Sequence, residues 1–443
     1  MSLSFKKTLA SLCLASIYFP AHAEKTPTLF FTELTRLKNR RKLWLIVHLW
    51  LGLIIGFFFA IIGLTGSILV FYMEIDGLIY PELYHLSKPL HAVPQAYSIL
   101  AQVAQTALPA SAHPTWISFP DATRGLDSLI VGYSIPSAHV AGEMDDWMLF
   151  LNPYTAEVLG SRLWYSADFF SGEMGFIPLM FKLHYALLMR GYGLDIVGIL
   201  SCFFLLSTLT GLIVWYPLTG KWKQALTFKP RASSERFNFD LHKTSGFYTS
   251  VILIAVLVSG ISMNLPNFFN QIVESFSPVI HPEQIHSRFT PTKKPITWGD
   301  AIDRVEKQFP EGDLVWIAPA ADKFAAHQIG KSHIDSLSHF VGNQQLFIDQ
   351  YSGQVLKISD VKNGTGGDVF TIWQWPLHSG TAFGWTGRIL VFLSGLACPI
   401  LYVTGFIRWR QKRKAKKTQS FINNMSSDSL NTAQISQFFK KTS

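Results

Sequence analysis

His48 and His242 stand 194 residues apart, and His184 and His378 are separated by the same 194 residues. Each lies inside or at the edge of an apolar run, where an imidazole needs a partner and a polar side chain marks function by default. Two imidazoles on facing helices can supply both axial ligands of a b-type haem, a planar apolar macrocycle that fits inside a helix bundle. A zinc or iron site made of protein alone wants a third or fourth ligand. Only Asp240 offers a carboxylate near these histidines, and it could equally serve as a hydrogen-bond partner. The expected sites are thus two haem b irons, one held by His48 and His242, the other by His184 and His378. No catalytic side chain is assigned.

The residues around the histidines repeat at the same offset, which points to an internal duplication. Gly52 and Gly66 match Gly246 and Gly260. Leu183, Gly193, Thr210, Gly211 and Trp215 match Leu377, Gly387, Thr404, Gly405 and Trp409. Gly52, Gly56, Gly63, Gly66, Gly246 and Gly260 could clear space for a macrocycle or simply let helices approach closely.

Four apolar segments, roughly 43–72, 194–216, 245–265 and 389–409, are long enough to cross a bilayer, which takes about 20 residues. The fold class that follows is an integral membrane α-helical bundle of four transmembrane helices. Basic clusters lie before the first segment, between the second and third, and after the fourth, so the positive-inside rule turns these regions to the cytoplasm. The net charge of +9 is thereby explained by topology, and no nucleic-acid partner is expected. The chain divides into an N-terminal extension (1–39), a first span (40–73), an outer module (74–180) and a second span region (181–217). A cytoplasmic loop (218–241), third span (242–265), second outer module (266–375), fourth span region (376–410) and cytoplasmic tail (411–443) follow. Residues 1–24 have a signal-like pattern, with Lys6, Lys7, an apolar run and Ala21-His22-Ala23. Cleavage there would leave Arg40, Arg41 and Lys42 outside, so the segment reads as an uncleaved or mis-started extension with a cytoplasmic N-terminus.

The two outer segments also repeat. The stretch from Leu149 to Leu159, with Tyr154-Thr155-Ala156, parallels that from Leu346 to Leu356, with Tyr351-Ser352-Gly353. Each reads as strand, turn and strand. Upstream, 98–108 and 298–309 have helical spacing, so each module is expected to set one helix against an antiparallel sheet.

Lys182, Arg190 and Arg388 near the outer pair, and Arg41 and Lys243 near the inner, are candidate partners for haem propionates or topology anchors. Trp147, Arg162, Trp164, Tyr165, Trp373 and Trp375 could contact an outer ligand, though core or interface roles suit most of them better. The other histidines of the outer segments, such as His85, His281 and His286, read as surface residues. Cys13, Cys202 and Cys398 make neither a disulfide framework nor a thiolate metal site. Gly191-Tyr192-Gly193 and 364–367 lack the strand-to-helix context of a dinucleotide fingerprint. No phosphate-binding loop or hydrolytic triad is evident.

These motifs together, namely His48 with Gly52 and Thr65-Gly66, Leu183-His184 through Trp215, their second-half counterparts and the two hairpins, resemble the PepSY-associated transmembrane-helix family of bacterial inner-membrane proteins. The resemblance spans about 40–410. It implies two periplasmic α+β PepSY-like modules, with both termini cytoplasmic. Family members are associated with iron acquisition, and some look like ferric-siderophore reductases. The resemblance therefore implies a di-haem b-type electron-transfer protein, an oxidoreductase acting on a ferric siderophore or another periplasmic Fe(III) chelate. A membrane quinol or a separate reductase would be the donor. The alternative is a non-redox, membrane-anchored PepSY binding or regulatory protein, and a transporter comes third.

Overall fold

The structure, a computed structural model, describes residues 27–441 apart from 88–92, 122–123, 170–171, 219, 230–232, 333–343 and 361–362. The signal-like stretch and Cys13 lie outside the described residues.

Apolar sequence with few breakers makes the long helices, and small residues let them close up. The bundle contains α1 (Pro27–Ile54), α2 (Gly56–Leu69), α5 (Phe176–Ala186), α6 (Gly193–Trp215), α7 (Ser234–Asn264), α10 (Gln374–Ser379) and α11 (Gly384–Lys441). Two short helices, α3 (Tyr72–Ile79) and α8 (Pro266–Glu274), lead from the bundle to the sheet. Helices α6, α7 and the apolar part of α11 are each long and apolar enough to cross a membrane. Asn39–Ile54 and Gly56–Leu69 qualify only as a pair, bent by 65°. The first span is therefore broken at Ile55. A Cβ on the next residue, Gly56, would lie 2.8 Å from Tyr402, so the ring of Tyr402 fills the space beside the bend. Further along α2, Gly63 faces Cys398 and Gly395, and Ser67 donates to the Phe392 carbonyl at 2.8 Å. Close approach at small residues is how helices associate where lipid is as apolar as leucine.

The second and fourth span regions differ from expectation in the same way. Neither histidine rides on the long helix. His184 sits on α5, which ends in a left-handed corner at Leu187 and Leu188 (φ 50° and 56°). His378 sits on α10, which ends at Gly380 (φ 79°). In both corners a glycine in the first turn of the next helix is pressed against the corner: a Cβ on Gly193 would meet the Ala186 carbonyl at 2.7 Å, and one on Gly387 the Gly380 carbonyl at 2.1 Å.

The strands β1 (His113–Ser118), β2 (Leu129–Pro136), β3 (Met144–Leu151), β4 (Val158–Tyr165), β5 (Asp313–Ala318), β6 (His327–Ser332), β7 (Gln344–Ile348) and β8 (Val355–Ser359) are all antiparallel. The expectation of two modules, each with its own sheet, is corrected here. The strands form one eight-stranded sheet in the order β4-β3-β2-β1-β5-β6-β7-β8. The seam is the β1–β5 pair, with Ile117 opposite Ile317 and Ser118 opposite Trp316. Separate modules would each leave an open edge of unpaired backbone groups, and pairing the two edges removes both. Helices α4 (Tyr97–Ala107) and α9 (Trp298–Gln308) pack side by side on one face. Leu100, Ile117, Leu149, Ile302, Ile317 and Leu346 meet in a single core beneath them. Gly299 is needed there, because a Cβ would lie 2.1 Å from the Tyr97 carbonyl.

Candidate functional site: two histidine pairs in four matching seats

Each of the four histidines leans on a neighbouring helix in the same manner. The Nδ1 of His48, on α1, lies 3.0 Å from the Ser207 carbonyl and 3.4 Å from the Thr210 hydroxyl of α6, and the ring rests on Gly211. His242, on α7, meets the Leu401 carbonyl at 3.1 Å, the Thr404 hydroxyl at 2.9 Å and Gly405 of α11. His184 meets the Ile62 carbonyl at 2.9 Å, the Thr65 hydroxyl at 3.2 Å and Gly66 of α2. His378 meets the Val256 carbonyl at 3.0 Å, the Ser259 hydroxyl at 3.0 Å and Gly260 of α7. The seat is always a carbonyl, a hydroxyl three residues on, and a glycine directly after it.

This arrangement fixes the tautomer. A backbone carbonyl only accepts, so Nδ1 must carry the proton. The seat hydroxyls spend their own hydrogens on carbonyls of their own helices: Thr210 on Ser207 at 2.9 Å, Thr65 on Ile61 at 2.9 Å, Ser259 on Ala255 at 2.8 Å and Thr404 on Ile400 at 2.6 Å. They too therefore accept from Nδ1. In the neutral ring this leaves the lone pair on Nε2. Metal-ligating histidines are commonly held this way, by an outer carbonyl that sets ring orientation and raises basicity.

The seats bring the rings together in the expected pairs. His48 and His242 have centroids 6.2 Å apart with planes at 70°. His184 and His378 are 6.0 Å apart at 65°. Each pair takes one ring from each half of the chain. No group of three or more His, Cys, Asp and Glu that could hold a metal occurs among the described residues. Asp240 serves neither ring, since it pairs with Arg236 at 2.9 Å and Lys243 at 3.0 Å.

The basic residues near the pairs are committed elsewhere. Arg41 donates to the Val214 carbonyl, and Lys243 to the carbonyls of Gln224 and Thr227. Arg388 bonds the Val70 carbonyl at 2.9 Å and pairs with Glu74. Arg190 lies 3.9 Å from Asp168. The Lys182 ammonium sits 3.4 Å from the centre of the Tyr165 ring. Among the proposed outer contacts, Arg162 is instead buried against Asp76, with its guanidinium over Tyr80 and Trp164, while Trp147 and Trp164 pack into the sheet. Trp375 is half exposed. The six glycines divide similarly. Gly66 and Gly260 seat rings, Gly56 and Gly63 pack helices, Gly246 touches only Leu401, and a Cβ on Gly52 would meet nothing within 4 Å.

Sequence reasoning missed the seats themselves. Their signal was present as Thr65-Gly66, Thr210-Gly211, Ser259-Gly260 and Thr404-Gly405, four hydroxyl–glycine steps within apolar helices. It also missed the buried charges around α3, where Asp76 accepts from both Arg162 and Tyr84.

The apolar helices and their polar, paired interior define a membrane protein with a separate antiparallel sheet domain. The chain belongs to the PepSY-associated transmembrane family: the model for the PepSY-associated TM region matches residues 45–412, most of its length. No curated protein matches the sequence significantly.

Proposed function

We propose that the chain is an internally duplicated, four-span membrane protein that carries two b-type haems and passes single electrons across the bilayer. The observation that carries this reading is the fourfold seat, which presents an Nε2 lone pair from each half at two sites. Two imidazoles bonded to one iron at about 2 Å each have centroids about 6 Å apart, the spacing of both pairs. Two nitrogens do not complete a zinc or non-haem iron site. A macrocycle that brings four equatorial donors needs only these two.

His48 and His242 would hold one haem, and His184 and His378 the other. When bound, haem supplies reversible one-electron exchange at iron. The protein's residues do the rest. The carbonyl and hydroxyl of each seat keep the proton on Nδ1, the glycine admits the ring, and the apolar helices exclude water. By the positive-inside rule, the end that carries the three basic regions would face the cytoplasm and the sheet a bacterial periplasm. Electrons would enter from a quinol or a separate reductase and leave on the sheet side. A ferric siderophore is the acceptor we favour there, because hard oxygen donors hold Fe(III) far more tightly than Fe(II) and one-electron reduction loosens the metal. A purely binding role for the sheet would leave the four seats without a purpose.

The test is the visible spectrum of the purified chain, oxidised and dithionite-reduced. A bis-histidine b-type spectrum with about two haems per chain is expected, and each of the changes His48→Ala, His184→Ala, His242→Ala and His378→Ala should remove about one. Colourless protein from haem-replete cells would overturn the reading.

A further inference from the structure

Helices α3 and α8 occupy equivalent places. Tyr72 and Pro266, their first residues, are 194 apart, as are Leu78 and Ile272 within them. Each follows a bundle helix after only a residue or two, α3 after Leu69 and α8 after Asn264. Each buries one face against the protein. In α8 that face is Phe269 and Val273, and Phe269 stacks on Phe370 at 5.9 Å. In α3 it includes Met73 and Asp76.

Each also turns large apolar side chains away from the protein. Phe268 and Ile272 are about half exposed, and Phe276, two residues beyond the end of α8, is 87% exposed. They recur every fourth residue, one stripe along a helix. Leu78 on α3 is 79% exposed, with Ile79 beside it at 45%. The inward faces are already satisfied, so this second apolar surface serves something outside the chain. Its position names the occupant. Both helices begin where membrane-crossing segments end, which is the depth of the bilayer boundary. Exposed Trp385 stacks with Phe71 at the entry to α3, as an aromatic belt would require.

We propose that α3 and α8 are paired interfacial anchors, which insert Leu78, Ile79, Phe268, Ile272 and Phe276 into the leaflet on the sheet side. They lie along the membrane surface, as short amphipathic helices do, and set the height of the sheet above it. The inference needs the chain to be in a membrane and is independent of any haem.

The experiment uses the full chain, its own cysteines replaced, reconstituted one copy per lipid nanodisc. Nitroxides are attached in turn to Leu78→Cys, Phe268→Cys and Phe276→Cys, with Phe324→Cys of the sheet domain as the aqueous reference. The expected result is that the first three relax faster with oxygen than with a water-soluble nickel complex, and that Phe324→Cys shows the reverse. If the three match the reference, or are shielded from both reagents as in a protein contact, the proposal is overturned. Circular dichroism of each labelled chain confirms that the bundle is retained.

Discussion

The two halves of the chain agree in some places to the atom and diverge in others. The seats agree: all four share one spacing of carbonyl, hydroxyl and glycine. Midway between the histidine layers they part company. Phe59 and Phe204 pack ring to ring at 4.7 Å in one half, while the positions 194 residues later are Leu253 and Cys398. The charged cluster on α3 has no echo, since the residues of α8 that correspond to Glu74 and Asp76 are Phe268 and Asn270. Helix α9 carries its own capping box, Thr297 with Asp300, whereas α4 has no side-chain cap of its own. It borrows Asp303 from α9, which accepts from the Tyr97 and Ser98 amides at 3.0 Å. Packing can be solved in many ways, so it differs between the halves. Holding a ring with one tautomer and one orientation has few solutions, so it does not.

That contrast can be broken first at the seats. A Cβ at Gly66 would lie 2.8 Å from His184 Cε1, at Gly211 3.0 Å from His48, at Gly405 3.3 Å from His242 and at Gly260 3.5 Å from His378. Gly66→Ala should therefore displace its ring most and Gly260→Ala least. Under the haem reading, Gly66→Ala loses most of one haem and Gly260→Ala keeps both, read from pigment per chain. Equal behaviour of the two would show that the seats do not set ring position.

The next effect belongs to the unshared charges. Asp76 is 1% exposed and Arg162 10%. Removing one partner of such a pair typically costs about 3–5 kcal/mol, because the other charge stays buried. Asp76→Ala is expected to lower the unfolding midpoint sharply, while Asn270→Ala at the equivalent place barely moves it.

A smaller effect is set by His327, which is 4% exposed in β6. Burial lowers its pKa from the usual 6.5 to about 4, and Nδ1 is engaged as acceptor of the Ala320 amide at 3.1 Å. Between these two values the unfolded chain binds the proton and the folded chain does not. Its contribution is therefore complete above pH 6.5 and is lost as pH falls toward 4, by roughly 3 kcal/mol at about 1.4 kcal/mol per unit. His327→Gln should flatten that part of the stability–pH curve. An unchanged slope would remove His327 from the account.

The smallest effect compares the two hairpin turns. Ala156 has φ 61° where its counterpart Gly353 has φ 71°, and both turns close with the same backbone bond, to Asn152 at 2.9 Å and to Asp349 at 2.8 Å. Ala156→Gly should stabilise by about 1 kcal/mol through relief of the left-handed strain. Gly353→Ala should destabilise by more than that, since its Cβ would also lie 2.2 Å from Arg304. Chemical denaturation of both variants decides it.

The histidine pairs were legible in the sequence because a residue-type repeat needs no knowledge of geometry. The long helices were legible because hydropathy is a local sum. The corners at Leu187 and Leu188 were not, since leucine gives no hint of a left-handed turn and only the tertiary setting stabilises one. The fused sheet was hidden for a different reason. Ile117 and Ile317 pair across 200 residues, and nothing near either announces a partner so distant. The charges of Arg162 and Arg388 misled because, in one dimension, a buried guanidinium looks the same as a ligand contact or a topology anchor.

The seam between β1 and β5 also bears on biosynthesis. When the first half leaves the ribosome, β1 has no neighbour on one side and α4 lacks its cap. His48 and His184 have carbonyls to lean on but no opposing ring. All three deficits are met only by residues made later, at least 194 positions on for the two rings. At ordinary elongation rates of about 5–20 residues per second, that is a wait of roughly 10–40 s. Through that interval the first half carries an open strand edge, and a half-length product would keep it.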